Sequence, residues 1–498
     1  MRTANAFRRL LAAAAVGAAL LAVPAGAQLP ALGDAGDLTA SAERKLGDRI
    51  ARELYRDPDY IDDPVVVEYV QGIWQPLLAA ARARGDLNNE LDRFAWMVLL
   101  GKDRSINAFA VPGGWLGLHL GLVSVTANRD ELASVLAHEL SHVTQRHISR
   151  MMAQQGRQQP WVIAAMILGA MAVGKNPEAG KAVIAGSQAL AAQQQLNFSR
   201  DMEREADRIG LGVMSQAGFE PQGFVTMFEK LQQAARLNDN GAYPYLRTHP
   251  MTSERAAEMQ SRQQLQGRPP APPSMEHALV ASRARVLANA NVDALRAAVA
   301  EAEGSGLAAQ ARPRQAGVLY GATLAAVKLR DGPLANRLLA RLQAAVAGDA
   351  VGQRLARLLE AEIALGAGDA ARALRVLDTS SQRRPDLLMT SQAQVLSGRA
   401  GEAAQRLQTW VSNDPRDAGA WQQLAAAYAA QGQQVRAVRA EAEARVAQLD
   451  YTAALDRFKA AQDLVRKGAG GGDHIEASII DTRARQVESL LREQSIER

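Results

Sequence analysis

The feature that most constrains this chain is residues 131–143, which read E-L-A-S-V-L-A-H-E-L-S-H-V. Leucine and valine recur there at helical spacing, so the segment predicts an amphipathic helix with one buried face. Asn128, three residues before Glu131, has the spacing of a capping box and predicts where the helix begins. We expect this helix to continue to about Gln155. Its histidines make it the element around which the other segments must be arranged.

Two of those histidines form an H-E-x-x-H motif. His138 and His142 are four residues apart, so their rings project from one side of the helix and can hold one metal ion. Glu139 lies beside them, close enough to reach a metal-bound water without being a ligand. Zinc lowers the pKa of such a water, and an adjacent carboxylate can take its proton. The alternative is a surface helix with solvated histidines, but only 7 histidines occur in 498 residues, so a chance match is rare.

A third protein ligand is needed, and an acid from a downstream helix is the usual solution. Ser199 is a predicted N-cap for such a helix. Glu203 is the predicted ligand. Asp207, one turn further on, either orients a histidine ligand or donates a proton in the reaction, whereas Glu205 points elsewhere. The alternative is a solvated charged face, which the upstream motif makes the weaker interpretation.

Two further histidines leave alternatives open. His147 follows His142 by five residues, an offset that suits a second metal position poorly, so a structural or surface role is expected. His249 lies in the predicted loop 246–250, ahead of a helix that carries Arg255. It is a fourth ligand that blocks the water, a group that binds a substrate carbonyl, or a residue without a role.

Three apolar runs upstream of the motif are predicted strands: residues 94–100, 106–111 and 115–123. The second run contains Asn107 and ends in the turn 112–114. A short strand beside a metal-binding helix can accept a peptide as an additional strand. An ordinary covered hairpin is the equal alternative.

The N-terminus has the pattern of a secretory signal peptide, residues 1–27. Three arginines are followed by the apolar run 10–23 and by a small-x-small site that ends at Ala27. An uncleaved membrane anchor is the alternative, for which the run is short. Removal of three arginines lowers the formal net charge from +5 to +2, which gives no support for nucleic-acid binding.

Two other features limit the classes of protein. The chain has no cysteine, which excludes disulfides, a cysteine zinc site and a cysteine nucleophile. The internal run 161–173 has 13 apolar residues, whereas a bilayer span needs about 20. It is therefore expected to form a buried helix or a hairpin over the active site. Contact with a membrane surface or an unfolded client is the alternative.

The C-terminal half follows a Pro-rich stretch, the predicted linker 266–275, and has helical patterns almost throughout. Gly368 and Gly398 are 30 residues apart, and Gly432 follows after another 34. This spacing fits the tetratricopeptide template, with a generic helical bundle as the alternative. Stacked repeats form a concave surface that binds peptides or partner proteins.

Four segments together resemble a known family. They occur in the order 107–114, 138–142, 199–207 and 248–250. The combination is similar to that of the zinc metallopeptidases that include the membrane protease HtpX and the CAAX prenyl endopeptidases. The run 161–173 is too short for the transmembrane pair of the membrane members, so the resemblance is to the soluble, periplasmic branch.

The resemblance implies one zinc ion per chain, held by His138, His142 and Glu203. Glu139 would be the catalytic acid/base, and Asp207 the second acid, a proton donor. His249 would lie on a loop that closes over the metal. Three residues would regulate the enzyme or contact the substrate: His249, Asn107 and Arg255.

The expected fold is mainly α. An α+β gluzincin-type zinc peptidase domain, residues 28–265, precedes an α-solenoid of tetratricopeptide-like repeats, residues 276–498. The expected function is a periplasmic zinc metalloendopeptidase that cleaves misassembled outer-membrane or envelope proteins, with possible chaperone activity. Its partners would be stalled outer-membrane proteins and their assembly machinery, without nucleic acid and with at most peripheral membrane contact. The rival hypothesis is a binding module whose peptidase domain is shut or incidental; the oligomeric state is left open.

Overall fold

The computed structural model describes residues 38–87, 89–154, 199–236, 243–264, 273–469 and 473–496. The predicted signal peptide and the apolar run 161–173 lie outside these residues, as does most of the Pro-rich linker. Within the described ranges, none of the helices combines the length and the apolarity that a membrane crossing requires.

In the described part of the N-terminal half there are a small sheet and nine α-helices. The strands are β1 (Tyr60–Ile61), β2 (Met97–Gly101), β3 (Ala108–Val111) and β4 (Trp115–His119). Their order is β1-β2-β4-β3, with β2 and β4 parallel and the other two pairs antiparallel. The helices are α1 (Ala40–Arg56), α2 (Pro64–Arg84), α3 (Leu120–Val125), α4 (Arg129–Thr144), α5 (His147–Gln154), α6 (Arg200–Gln216), α7 (Gln222–Arg236), α8 (Tyr245–Thr248) and α9 (Ser253–Gln264). Strand β3 lies at one edge of the sheet and contacts α4.

Helix α4 carries the H-E-x-x-H motif and is buried on all sides. It begins where predicted, because the Asn128 side chain accepts a hydrogen bond from the Glu131 amide at 2.8 Å. The prediction that it continues to about Gln155 is wrong. Arg146 has a positive φ of 52°, which breaks the helix after Thr144, and α5 starts at His147. The Arg146 side chain is held by the carboxylate of Glu43 on α1 at 3.0 Å.

Three strand boundaries also differ from the predictions, one of them the start of the second strand, at Ala108 rather than at residue 106. The first strand begins at Met97 rather than at residue 94, because Trp96 has a positive φ of 50° and its indole donates to the Leu91 carbonyl. The third strand ends at His119, and the rest of its apolar run forms α3. A short, fully buried apolar run has the same pattern in a strand and in a helix, so periodicity could not place these ends.

The C-terminal half is all helical, as predicted. Its helices are α10 (Met275–Ala288), α11 (Val292–Glu303), α12 (Arg312–Lys328), α13 (Gly332–Ala345), α14 (Ala350–Gly366), α15 (Ala370–Val376), α16 (Arg384–Leu396), α17 (Ala400–Asn413), α18 (Ala418–Ala430), α19 (Gln434–Ala447), α20 (Tyr451–Arg466) and α21 (His474–Ile496). Gly368, Gly398 and Gly432 have φ values of 75°, 77° and 72°. Each lies in the turn between two packed helices, where a left-handed residue is needed. The glycine period therefore reflects helix-pair turns.

One hydrophobic cluster spans both halves, from α2 to α16. Helix α10 packs on α2 and α3, and the His277 ring on α10 bridges the Tyr69 hydroxyl and the Thr126 carbonyl at 2.6 and 2.7 Å. Three arginines of the C-terminal half also pair with acids at the start of α2: Arg283 with Asp63, Arg354 with Glu68, and Arg384 with Asp62. These ion pairs fix the C-terminal helices, the helical array, to α2, and α2 itself contacts α4 and α6.

Arg283 provides a test of this attachment. Its side chain is 3% exposed and contacts both oxygens of Asp63, so Arg283→Ala would leave a buried carboxylate without its partner. We expect the free energy of unfolding, measured with urea, to fall by about 3–5 kcal/mol. Arg337→Ala is the matched control, because its pair with Glu303 is exposed and should contribute about 0–1 kcal/mol. Equal effects of the two substitutions would contradict this account of the interface.

Candidate metal centre

The centre is formed where α4 and α6 pack closely together. Ser199 caps α6 as predicted, its hydroxyl accepting from the Met202 amide at 3.2 Å. Three residues after Asp207, Gly210 faces the backbone of α4, and a Cβ there would lie 3.1 Å from the Ala137 carbonyl and the His138 nitrogen. The absence of a side chain at Gly210 therefore lets the acids of α6 reach the histidines of α4.

The three predicted ligands, His138, His142 and Glu203, come together at this contact with His249, for which a fourth-ligand role was one of three alternatives. One ligand atom from each lies within 4.8 Å of all the others, and each side chain is about 1% exposed. The Nε2 atoms of His138 and His142 are 3.0 Å apart, and they lie 3.6 and 3.3 Å from the Glu203 oxygens. Ligands about 2.0–2.2 Å from a tetrahedral zinc are about 3.3–3.6 Å apart. Both histidine–glutamate separations lie in this range and the histidine–histidine separation is shorter, so the donor set can close around a zinc-sized ion.

Asp207 and Arg255 contact two of the donors, His138 and Glu203, and each other. The Asp207 carboxylate lies 2.9 Å from Nδ1 of His138, and Arg255 donates to both of its oxygens at 2.7 and 2.8 Å. Arg255 also lies 2.7 Å from the Glu203 carboxylate. Burial acts to raise the pKa of Asp207, but Arg255 and His138 outweigh it and lower that pKa. Of the two roles predicted for Asp207, this placement supports the orientation of a histidine ligand.

Glu139 is fully buried next to the donors. Burial raises the pKa of its carboxyl group to about 8, although the Ala110 backbone, the Tyr245 hydroxyl and Arg255 act in the opposite direction. Its Oε1 lies 3.4 Å from Nε2 of His249. A carboxyl group with a pKa near neutrality can both accept and release a proton, as acid/base catalysis requires.

His249 reaches the centre from α8 and its adjoining loop. The predicted loop 246–250 contains part of this one-turn helix, and the His249 amide donates to the Tyr245 carbonyl at 2.9 Å. The Tyr245 and His249 rings stack with centroids 4.3 Å apart. Arg255 fixes the segment by donating to the Pro250 carbonyl at 2.8 Å. His249 is therefore placed close to the ligand set rather than left in an open loop.

Two other candidate residues lie outside the group of four donors. Asn107 precedes β3 and is buried, with its carbonyl accepting from the His119 amide at 3.0 Å. His147 has no exposed surface, and its Nδ1 lies 2.8 Å from Nδ1 of His142. Of the two roles predicted for His147, the structural one agrees with this burial and the surface one is wrong. Its contact with His142 was not predicted, because the five-residue offset was considered on a continuous helix.

Comparison with known proteins places this arrangement in context. The family model described as "Peptidase family M48" matches residues 70–263. The beta-barrel assembly-enhancing protease of Escherichia coli K12 is 32% identical, over 98% of this chain and 96% of that protein. The protein of the same name from Yersinia pestis is 29% identical over 94% of this chain and 93% of its own length. The mitochondrial metalloendopeptidase OMA1 of Saccharomyces cerevisiae is 29% identical over 38% of this chain and 54% of that protein.

Gly210 supplies a test of how the centre is assembled. Gly210→Val would push α6 away from the backbone of α4, which cannot yield as a side chain would. We expect a loss of about 1–3 kcal/mol in the free energy of unfolding, together with weaker binding of added Zn²⁺ in a chelator competition. Gly212→Val is the control in the same helix, because its Cβ would meet only the movable side chain of Arg84. Equal Zn²⁺ affinities in the two variants would show that the helix contact does not position the donors.

Proposed function

The chain belongs to peptidase family M48 and is a metalloendopeptidase, and from this premise we propose that it is a zinc enzyme that cleaves misassembled outer-membrane or envelope proteins in the periplasm. One observation carries the zinc assignment: buried nitrogen and oxygen donors that converge from two helices and a loop, with an unusually basic carboxyl group beside them. Zinc prefers imidazole and carboxylate ligands, and no cysteine is available.

In this proposal His138, His142 and Glu203 hold the ion. A bound zinc supplies a Lewis acid that polarises a carbonyl and lowers the pKa of water. The contact of Asp207 with Nδ1 of His138 turns the Nε2 atom of that ring towards the ion. Arg255 keeps Asp207 and Glu203 in fixed positions through its three guanidinium contacts.

Glu139 is the proposed acid/base. Its carboxylate takes a proton from the attacking water and later delivers that proton to the nitrogen of the leaving amine. Its buried position supports this role, because the raised pKa makes the protonated form accessible near neutral pH.

The edge strand β3 is the proposed binding site for the substrate backbone. It is the last strand in the sheet order and contacts α4, and its Ala110 backbone lies beside Glu139. An extended peptide that pairs with this edge would bring a scissile carbonyl alongside the acid/base. The alternative of an ordinary covered hairpin predicts no such pairing.

The client class and the compartment are supported by two independent features. The first is the predicted signal peptide 1–27 with its small-x-small site. The second is the similarity over almost the whole chain to proteins named beta-barrel assembly-enhancing proteases. We propose that the C-terminal helices, as tetratricopeptide-like repeats, select stalled outer-membrane proteins or their assembly machinery, and that they can assist assembly as a chaperone.

Glu139→Gln tests the mechanism. Removing the proton acceptor should lower the rate of cleavage of an unfolded outer-membrane β-barrel protein at least about 100-fold, while zinc content and unfolding temperature stay unchanged. Glu229→Gln, an exposed acid on α7, is the control and should cleave at the wild-type rate. Retained cleavage by Glu139→Gln would contradict the assignment.

The rival binding-module hypothesis makes the opposite forecast in cells. If the helical array alone carried the function, Glu139→Gln would complement a deletion strain as well as wild type does. Substitutions on the surface of the repeats would then remove the phenotype by themselves.

His249→Ala distinguishes between the roles left open for that residue. We propose that His249 is a fourth ligand that occupies the position of the attacking water, so its removal should raise the cleavage rate several-fold. His474→Ala, which removes an exposed histidine of α21, should change nothing. A lower rate for His249→Ala with unchanged zinc content would instead indicate that His249 binds the substrate.

A further inference from the structure

A second imidazole lies directly behind one of the proposed ligands. Nδ1 of His147 is 2.8 Å from Nδ1 of His142, and both rings are buried. On its other side, Nε2 of His147 lies 3.1 Å from the Glu205 carboxylate. Arg150 donates to the same carboxylate at 2.9 Å, which favours the anionic form of Glu205. His142, His147 and Glu205 thus form a hydrogen-bonded row that ends in a carboxylate.

The proton positions in this row are fixed by chemistry. His142 directs Nε2 towards the other donors, 3.3 Å from a Glu203 oxygen, so as a ligand it has its proton on Nδ1. That N–H can only donate, which makes Nδ1 of His147 the acceptor. The proton of His147 then lies on Nε2, where the Glu205 carboxylate accepts it.

The break in the helix makes the row possible. On a continuous helix, residues five apart do not face each other, and His147 would point away from His142. The positive φ of Arg146 turns the start of α5 back, and the ion pair of Arg146 with Glu43 holds that turn. The chain therefore brings His147 beside the ligand through an energetically unfavourable backbone conformation.

We propose that His147 and Glu205 are positioning residues for the metal ligand His142, fixing its tautomer and ring orientation. The inference rests on the proposed zinc site. It gives each of the two motif histidines a carboxylate behind Nδ1: Asp207 contacts His138 directly, and Glu205 reaches His142 through the His147 ring. A hydrogen-bonded carboxylate of this kind raises the basicity of a ligand imidazole.

The test measures zinc affinity rather than cleavage. Zinc dissociation constants of the full mature chain are determined by competition with a chromophoric chelator, and the Co²⁺-substituted protein is compared by its visible absorption spectrum. Glu205→Leu should weaken zinc binding about tenfold and His147→Leu about 10–100-fold. Glu205 is 31% exposed, so its variant is expected to fold.

Two further variants separate positioning from packing. His147→Gln supplies a side-chain carbonyl that can accept the His142 proton, so it should restore most of the affinity lost in His147→Leu. The double variant His147→Leu/Glu205→Leu should bind no more weakly than His147→Leu, because Glu205 acts only through His147. Glu254→Leu is the control, since Glu254 pairs with Arg204 at the surface and touches no ligand.

Unchanged zinc affinity in Glu205→Leu and His147→Leu would overturn the inference while leaving the zinc site intact. Equal losses in His147→Gln and His147→Leu would also overturn it, because they would show that only the volume of the ring matters. A wild-type chain that binds no zinc would contradict the proposed function itself, and this inference with it.

Discussion

The close contact between α4 and α6 is the constraint on which the site depends, because it removes several charged groups from water at once. Glu139, Glu203 and Asp207 are each about 1% exposed or less, and Arg255 is the cation that pairs with two of them. Burial raises the pKa of Glu203 well above its ordinary range, and Arg255 offsets this only in part. Taking such groups out of water costs several kcal/mol for each ion. A divalent cation among the same donors would supply the missing positive charge.

Much of the site could be predicted because its chemistry is local. The caps at Asn128 and Ser199 and the spacing of the motif residues depend only on neighbours in sequence, and the structure has both caps where the pattern indicates. The three predicted ligands also come together, and His249 joins them. What the sequence could not show was the contact of Arg255 with two acids of another helix, since nothing around an arginine on a polar helix indicates its partner.

The other failures arose where the backbone departs from a regular element. A positive φ at Trp96 makes β2 begin later than predicted, and a positive φ at Arg146 breaks α4, although neither residue is a glycine. Both are stabilised by contacts distant in sequence or by buried side chains, which a periodic pattern does not contain. The contact of His147 with His142 could not be predicted, because it depends on the break at Arg146. The boundary between β4 and α3 was hidden because residues 115–123 are all buried and, apart from His119 and two glycines, are apolar.

Helix α2 connects the two halves of the chain, because it contacts α4 and α6, and acids at its start pair with three arginines of the helical array. The proposed zinc site requires that an acid on the later helix complete a ligand set begun by two imidazoles. The most direct test is the zinc content of the purified mature chain after dialysis against a chelator, compared with that of Glu203→Ala. The account predicts one zinc per chain in wild type and its loss in Glu203→Ala, with folding retained in both. A folded wild-type chain without zinc, or a Glu203→Ala chain that retains it as tightly, would contradict the claim.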